Sequence, residues 1–373
     1  MSPLAGAQPI RVLVVDDSTT YRRLVTTVLR TDQAVTVMGE AANGVEALDV
    51  ISRSRPDIVL LDVEMPVMDG LVTMRNIHSR WPELPVLMFS SLTSDGAAVT
   101  LEALAAGATD YVVKPTGAGG AAQSRAVLHA EVIAKMKAIC RPTPAPAVQP
   151  AASAMTARPP RPPRTGPVKI VAIGSSTGGP NALAAVVGAL PAGLGVPVVI
   201  VQHMPAAFTS LLAERLGRGA DLAVSEAAEP AVLEPGHVYV AHGGRHLVVE
   251  RRNGARWAVQ NDAPPENSCR PAVDVLFRSV AESYGPEVLG VVLTGMGSDG
   301  QLGSDAIVRA GGSVFAQDEK TSVVWGMPGA VARAGLADRI LPLAEIGRAI
   351  AERVGGTSIS RQVRLTATGG GRP

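Results

Sequence analysis

Long apolar stretches are missing from this chain of 373 residues. Although 46% of it is hydrophobic, the runs are broken by charge, glycine or proline, and none approaches the roughly 20 residues that span a bilayer. No membrane insertion is expected. The stretch Met1 to Pro9 lacks both a basic start and an apolar core, so it does not read as a secretory signal, and a cytoplasmic location is expected. Cysteine is scarce: Cys140 and Cys269 have no metal-like spacing and read as free thiols without an assigned role. Nor does either sign of charge dominate. With 34 Lys plus Arg against 33 Asp plus Glu, the net charge of +1 gives no argument for nucleic acid or anionic lipid as a partner. The length suits two or three domains, and the chemistry must be local.

From Ile10 onward apolar strands alternate with amphipathic helices, which predicts a doubly wound, five-stranded parallel α/β domain. Strands are expected at Ile10 to Val15, Val35 to Glu40, Ile58 to Leu61, Val86 to Phe89 and Asp110 to Val113. Ser18 is a natural N-cap for a helix that sets Tyr21, Leu24, Val25, Val28 and Leu29 on one face. Gly107 suits the end of the fourth helix. Asp16 and Asp17 follow the first strand and Asp62 the third; in an open α/β sheet such strand ends converge on the ligand site. Three clustered carboxylates repel, and a hard divalent cation relieves them, with Mg²⁺ the first candidate. Ser90 and Lys114, at the ends of the fourth and fifth strands, add a hydroxyl and an ammonium to that edge, completing an acceptor site for a phosphoryl group. Helix capping explains Asp16 and Asp17 but neither Asp62 nor Lys114.

Residues 10–128 resemble the receiver domain of two-component response regulators. The resemblance is carried by Val-Val-Asp-Asp-Ser at 14–18, the run from Asp62 to Gly70, Ser90-Ser91 and Lys114-Pro115. It implies that Asp62 is the phosphoacceptor, that Asp17 with Asp16 beside it and the Glu64 backbone carbonyl are Mg²⁺ ligands, and that a histidine kinase is the phosphodonor. By the same resemblance Ser90 and Lys114 meet the phosphoryl group and Tyr111 fills the aromatic switch position, its rotamer left open.

Residues 129–166 are expected to be a helical extension, in which the last helix of the first domain runs toward Cys140, followed by a linker. Val127, Leu128, Val132, Met136 and Ile139 have near-helical spacing, and Arg141 to Pro167 is rich in Pro, Ala and Arg without a hydrophobic period. Arg158, Arg161 and Arg164 read as solubilising charges.

Strand–helix alternation resumes after Pro167, with strands expected at Lys169 to Ile173, Val196 to Val201, Val288 to Leu293 and Ser313 to Ala316. A second α/β domain with a mostly parallel sheet is expected over 167–356. Between Leu222 and Val259 short strands and the Asn253-Gly254 turn predict an antiparallel β-hairpin extension, and residues 357–373 a disordered tail. Gly174-Ser175-Ser176-Thr177-Gly178-Gly179 ends the first of these strands and opens a helix. On that stretch alone a phosphate-cradling turn and a reactive serine are both open. His203 follows the second strand and Asp299 the third, so Ser176, His203 and Asp299 fall at strand ends that can meet in one crevice. They supply a nucleophile, a general base and a carboxylate that fixes the imidazole tautomer. The order Ser, His, Asp differs from the Ser, Asp, His of α/β-hydrolases. The loop Thr294 to Gly300 is glycine-rich enough to offer N–H donors to an oxyanion. His237, His242 and His246 read as structural. For Arg270, near Asp262 and Glu266, a substrate groove and a surface ion pair are both open.

The same stretch resembles the catalytic domain of chemotaxis protein methylesterases, through Ile173 to Gly179, Gln202-His-Met-Pro205, Leu293 to Gly300 and Ser322 to Pro328. With a receiver in front, the likeness covers the whole two-domain architecture. It implies a phosphorylation-activated serine hydrolase that demethylates γ-glutamyl methyl esters on methyl-accepting chemoreceptors and deamidates receptor glutamines. Ser176 is then the nucleophile, His203 the base, Asp299 the orienter and the Met296 N–H an oxyanion donor, with no cofactor at this site. Ser175 departs from the alanine of many members and raises the question of which serine attacks; adjacency to Thr177-Gly178-Gly179 favours Ser176. A catalytically silent binding domain is the competing reading. A DNA-binding output lacks both a helix-turn-helix candidate and a basic stripe.

Overall fold

The computed structural model describes residues 8–115, 120–140 and 166–367. These form two compact units on either side of the segment 141–165. The expected linker, with Arg158, Arg161 and Arg164, lies outside the described residues, as does the chain beyond Ala367.

In the first unit Ile10–Val15, Val35–Ala41, Ile58–Asp62, Val86–Ser90 and Asp110–Val113 form one parallel sheet in the order second, first, third, fourth, fifth. The third and fourth strands are buried throughout, as helices on both faces of a parallel sheet require. Strand order reverses between the first and third strands, so the carboxyl ends bearing Asp16 and Asp62 open onto a crevice. The helix Thr19–Leu29 is capped by Ser18, whose hydroxyl accepts the Tyr21 N–H, and it buries Val25, Val28 and Leu29 on the expected face. The helix Ser94–Ala105 is followed by Gly107 at φ 111°. Helical structure then runs from Gly120 to Cys140 through a π-turn at His129–Ile133. Leu128, Val132, Ile133 and Met136 share one core with Val12 and Phe89. The last helix of this unit thus runs to Cys140, as its apolar stripe leads one to expect, and that stripe finds its cover on the sheet.

The second unit is built on seven parallel strands: Arg339–Leu341, Ser313–Gln317, Val288–Val292, Ile170–Ser175, Val198–Gln202, His237–Val240 and Ala223–Glu226, in that spatial order. The expected antiparallel extension needs correction. Ala223–Glu226 and His237–Val240 belong to the parallel sheet, and only Ala231–Val232, His246–Arg252 and Ala255–Asn261 form a separate antiparallel one. Strands of three or four residues carry too little alternation to reveal which sheet they join. Asn253 and Gly254, at φ 49° and 81°, make the turn their dipeptide predicts. The helix Val273–Tyr284 buries Leu276, Phe277 and Val280 completely against the sheet; each such side chain contributes on the order of 2 kcal/mol. The last helix, Leu343–Ala367, continues through residues where a disordered tail was expected from 357. No proline or glycine falls within 357–367 to end it. Among the described residues no helix is long and apolar enough to cross a membrane.

Candidate active site and phosphoacceptor site

Adjacent central strands of the second sheet bring the three expected residues to one edge. Ser175 pairs in register with Gln202, and Gly174 with Val292, so Ser176, His203 and the loop after Leu293 leave the sheet side by side. The Ser176 N–H donates to Thr294 O at 3.0 Å and the His203 N–H to Ser175 O at 3.2 Å. Gln202 fastens the two turns: its Nε2 donates to Ser176 O at 3.0 Å and His203 O at 3.2 Å, and its Oε1 accepts from Ser175 Oγ at 2.7 Å. Consecutive strand-end side chains point to opposite sides. Ser175 is accordingly fully buried on Gln202, whereas Ser176 is partly exposed. The approach of Gln202 explains Gly179, where a Cβ would stand 1.9 Å from Oε1.

His203 Nε2 lies 2.8 Å from Asp299 Oδ2. The Asp299 carboxylate is 2% exposed and also accepts the N–H groups of Val273 at 2.7 Å, Asp274 at 3.0 Å and Gly300 at 3.0 Å, with Asn267 Nδ2 at 2.9 Å. Burial alone would raise its pKa, but the His203 contact and the backbone donors outweigh that and hold it below the ordinary value. Burial likewise opposes charge on His203, yet its contacts with Asp299 and Cys269 push its pKa up to about 9. With Nε2 held by a carboxylate, Nδ1 is the nitrogen left for proton transfer. It faces Cys269 Sγ at 3.5 Å. Among the described residues no hydrogen bond joins the Ser176 hydroxyl to the His203 ring, so the structure brings the histidine and aspartate into contact and leaves the serine as their neighbour.

The loop Thr294–Gly297 closes over Ser176: a Cβ on Gly295 would lie 2.8 Å from Ser176 Cβ. Thr294 is braced by Gln317 Oε1, which accepts its N–H at 2.8 Å, and its hydroxyl donates to Thr177 O at 2.9 Å. Gly295 exchanges backbone hydrogen bonds with Val324, Gly326 and Met327. Met296 is 40% exposed, and among the described residues its N–H has no acceptor. That is the state of a donor able to meet a developing oxyanion.

In the first unit Asp16, Asp17 and Asp62 each offer a carboxylate oxygen within 4.8 Å of the others. Lys114 Nζ stands 2.9 Å from Asp16 Oδ2 and 2.7 Å from Asp62 Oδ2. The remaining oxygens of the two buried acids accept backbone N–H groups, Asp16 Oδ1 from Ser18 and Asp62 Oδ1 from Val63. Burial is the main cause raising the Asp62 pKa to about 6; Lys114 opposes it and Asp16 adds to it. Lys114 is held charged because both acids outweigh its own burial. Asp16 Oδ2 is buried without a well-angled hydrogen bond despite the ammonium beside it. The all-oxygen donor set and this unsatisfied oxygen fit a hard divalent cation. Ser90 is fully buried, its hydroxyl donating towards Ser91 O and Gly96 O and accepting from Thr100 at 2.6 Å. Tyr111 is turned inward, 5% exposed, and burial with nearby Asp110 and Glu131 raises its phenol pKa.

The family model described as CheB methylesterase matches residues 171–350, and that described as response regulator receiver domain matches residues 12–121. A protein-glutamate methylesterase/protein-glutamine glutaminase of Nocardioides sp. is 49% identical over 351 residues, which cover 92% of this chain and 95% of the relative. This chain belongs to the protein-glutamate methylesterase/protein-glutamine glutaminase family. Two further members are similar along nearly their full length: one from Trichodesmium erythraeum at 45% identity over 92% of this chain and 99% of the relative, and one from Paramagnetospirillum magneticum at 43% over 92% and 96%. The receiver match entails Mg²⁺ as the cation of phosphorylation in general and a histidine kinase as the class of phosphodonor.

Within this methylesterase the strand ends bring His203 to Asp299 and Lys114 to Asp16 and Asp62, whereas the contacts of Asn267, Cys269, Asp274 and Gln202 with these residues are not among the sequence expectations. Gln202 directly precedes His203, and its place in the strand gives no sign of the hydrogen bonds its amide makes. Asn267 and Cys269 lie in an irregular loop, where no periodicity marks them. His246 is buried between Pro264 O and the Ala272 N–H, and His237 Nε2 sits 2.8 Å from Ser225 Oγ, as structural histidines do. Arg270 donates to Asp262 O and Ala263 O, whereas Arg245 takes the Asp262 carboxylate and Arg278 that of Glu266.

Proposed function

We propose that this chain hydrolyses γ-glutamyl methyl esters on the cytoplasmic helices of methyl-accepting chemoreceptors and deamidates receptor glutamines, with Ser176, His203 and Asp299 as its hydrolytic machinery. The observation that carries the reading is the 2.8 Å contact between His203 and a fully coordinated, buried Asp299, one strand away from a partly exposed serine. Asp299 keeps His203 Nε2 protonated and oriented, and Nδ1 takes the Ser176 proton as the hydroxyl attacks the ester carbonyl. The Met296 N–H receives the oxyanion, and the imidazolium gives its proton to the leaving ester oxygen, released as methanol, or to the leaving amide nitrogen, released as ammonia. Water then repeats the sequence on the acyl-enzyme.

Control comes from the receiver, where Asp62 is the phosphoacceptor. Asp16, Asp17, Asp62 and the Glu64 carbonyl would hold Mg²⁺, which would supply positive charge beside the transferring phosphoryl group. Lys114 screens the two buried acids and pairs with the phosphoryl oxygens. The Ser90 hydroxyl must leave Gly96 and Thr100 to reach them. Phosphorylation favours the arrangement in which substrate reaches the hydrolytic edge, a population shift. Methanol release from methylated receptor is expected from the full-length chain, to rise with a phosphodonor and Mg²⁺, and to lose that rise but not its basal rate in Asp62→Asn. Absence of methanol under every condition would reject the esterase reading in favour of a silent binding domain.

A further inference from the structure

The turn Glu266-Asn267-Ser268-Cys269 lies against both members of the His203–Asp299 pair. Its ends are cross-linked, the Glu266 N–H donating to Cys269 O at 3.1 Å and the Cys269 N–H to Glu266 O at 2.9 Å. Its central residues have positive φ, 54° at Asn267 and 62° at Ser268, as in a two-residue hairpin turn. Asparagine tolerates that region, whereas serine adopts it only where its surroundings hold it there. Arg278 does so, gripping the Glu266 carboxylate with both guanidinium arms at 2.7 and 2.6 Å. Held in this way, Asn267 Nδ2 donates to Asp299 Oδ1 and to Asp274 Oδ2, each at 2.9 Å. Asp274 is 1% exposed, and its other oxygen accepts the Gly303 N–H at 2.6 Å. Two buried carboxylates facing one another repel, and burial with Asp299 as neighbour raises the Asp274 pKa. An amide with an N–H towards each removes the conflict and fixes the plane of both.

We propose that Asn267 is a positioning residue of the hydrolytic site, its amide clamped between Asp274 and Asp299 so that the Asp299 carboxylate presents a fixed oxygen to His203. This rests on the reading of Ser176, His203 and Asp299 given above. The titratable groups otherwise acting on the pair are Cys269 and Glu266 of the turn and Asp274 and Arg278 of the helix Val273–Tyr284, with His246 acting on Glu266; a substitution at Asn267 leaves all of them in the sequence.

The test compares Asn267→Gly and Asn267→Asp in the full-length chain. Asparagine, glycine and aspartate all tolerate left-handed φ, so a residue needed only for turn shape gives three equal values of kcat. Asn267→Gly is expected to lower kcat about tenfold with KM within about twofold. Asn267→Asp, which sets a third carboxylate against two, is expected to lower it further. In Asn267→Gly the acid limb of kcat/KM should also move to lower pH, because a loosely held Asp299 stabilises the imidazolium less. Equal kcat in all three proteins with an unmoved acid limb overturns the proposal. Rates are normalised to the fraction of each protein labelled at Ser176 by a fluorophosphonate, so that misfolding does not imitate the effect. That label separates the two readings. Labelling lost only in Ser176→Ala keeps the hydrolase reading whatever the Asn267 variants do. An unlabelled Ser176 with full activity in Ser176→Ala removes that reading and this proposal with it.

Discussion

At the scale of single residues, the two adjacent serines have opposite fates. Ser176→Ala is expected to cut receptor demethylation by at least about a thousandfold. Ser175→Ala should stay within a few-fold of the parent, because its hydroxyl serves Gln202 rather than substrate. What Ser175→Ala forfeits is stability, about 1–3 kcal/mol for leaving the buried Gln202 oxygen unsatisfied, measurable by denaturant titration. The reverse pattern of activities would reassign the nucleophile. His203 carries a pH signature. Its neutral form is the one that takes a proton, and with a pKa of about 9 that form is the minority at neutral pH. Demethylation should therefore climb with pH well past the ordinary histidine range, and a rate already flat at pH 7 would contradict the assignment. The sign for stability is opposite. A raised folded-state pKa stabilises the fold fully below the unfolded value near 6.5 and loses that contribution as pH rises through about 9.

At the scale of elements, the strand ends decide both sites. In the receiver, the ends of the first, third and fifth strands place Asp16, Asp62 and Lys114 in mutual contact. Lys114→Met is expected to leave two buried acids facing each other, at a cost of about 3–5 kcal/mol for an uncompensated buried charge. Mg²⁺ should restore part of it, so the Tm of this variant should gain more from MgCl2 than that of the parent; equal gains would detach Lys114 from the acid cluster. This geometry was legible in the sequence because strand-terminal acids and a strand-terminal lysine follow unmistakable β-branched runs, and the same held for Ser176, His203 and Asp299. Elements without a period were not legible. Asn267 and Cys269 sit in a turn with positive φ at Asn267 and Ser268; asparagine favours that region, but Ser268 in place of a glycine hides the turn from the sequence. Ala223–Glu226 and His237–Val240 are too short to declare their sheet. The π-turn at His129–Ile133 lies inside the receiver's last helix, whose apolar stripe toward Cys140 was legible while its local change of pitch was not.

At the scale of the whole molecule, each unit has its own sheet and its own core. A chain beginning at residue 166 is expected to fold and to hydrolyse methylated receptor faster than the unphosphorylated full-length protein, measured as methanol release on the same receptor preparation. A slower fragment would mean that the receiver contributes to the reaction rather than restraining it. The position of the proposed hydrolytic residues sets how the second unit fails on heating. Ile170–Ser175 is the fourth of seven strands, with Val198–Gln202 beside it, and Ser176 and His203 continue those strands directly. Peripheral elements open at low free energy, whereas central strands exchange their amides only when a domain opens as a whole. The turn bearing Ser176 therefore has no private melting transition: Val171–Ser175 should rank among the slowest amides to exchange with deuterium, and esterase activity should vanish at the temperature where the second core unfolds, without an inactive folded intermediate before it.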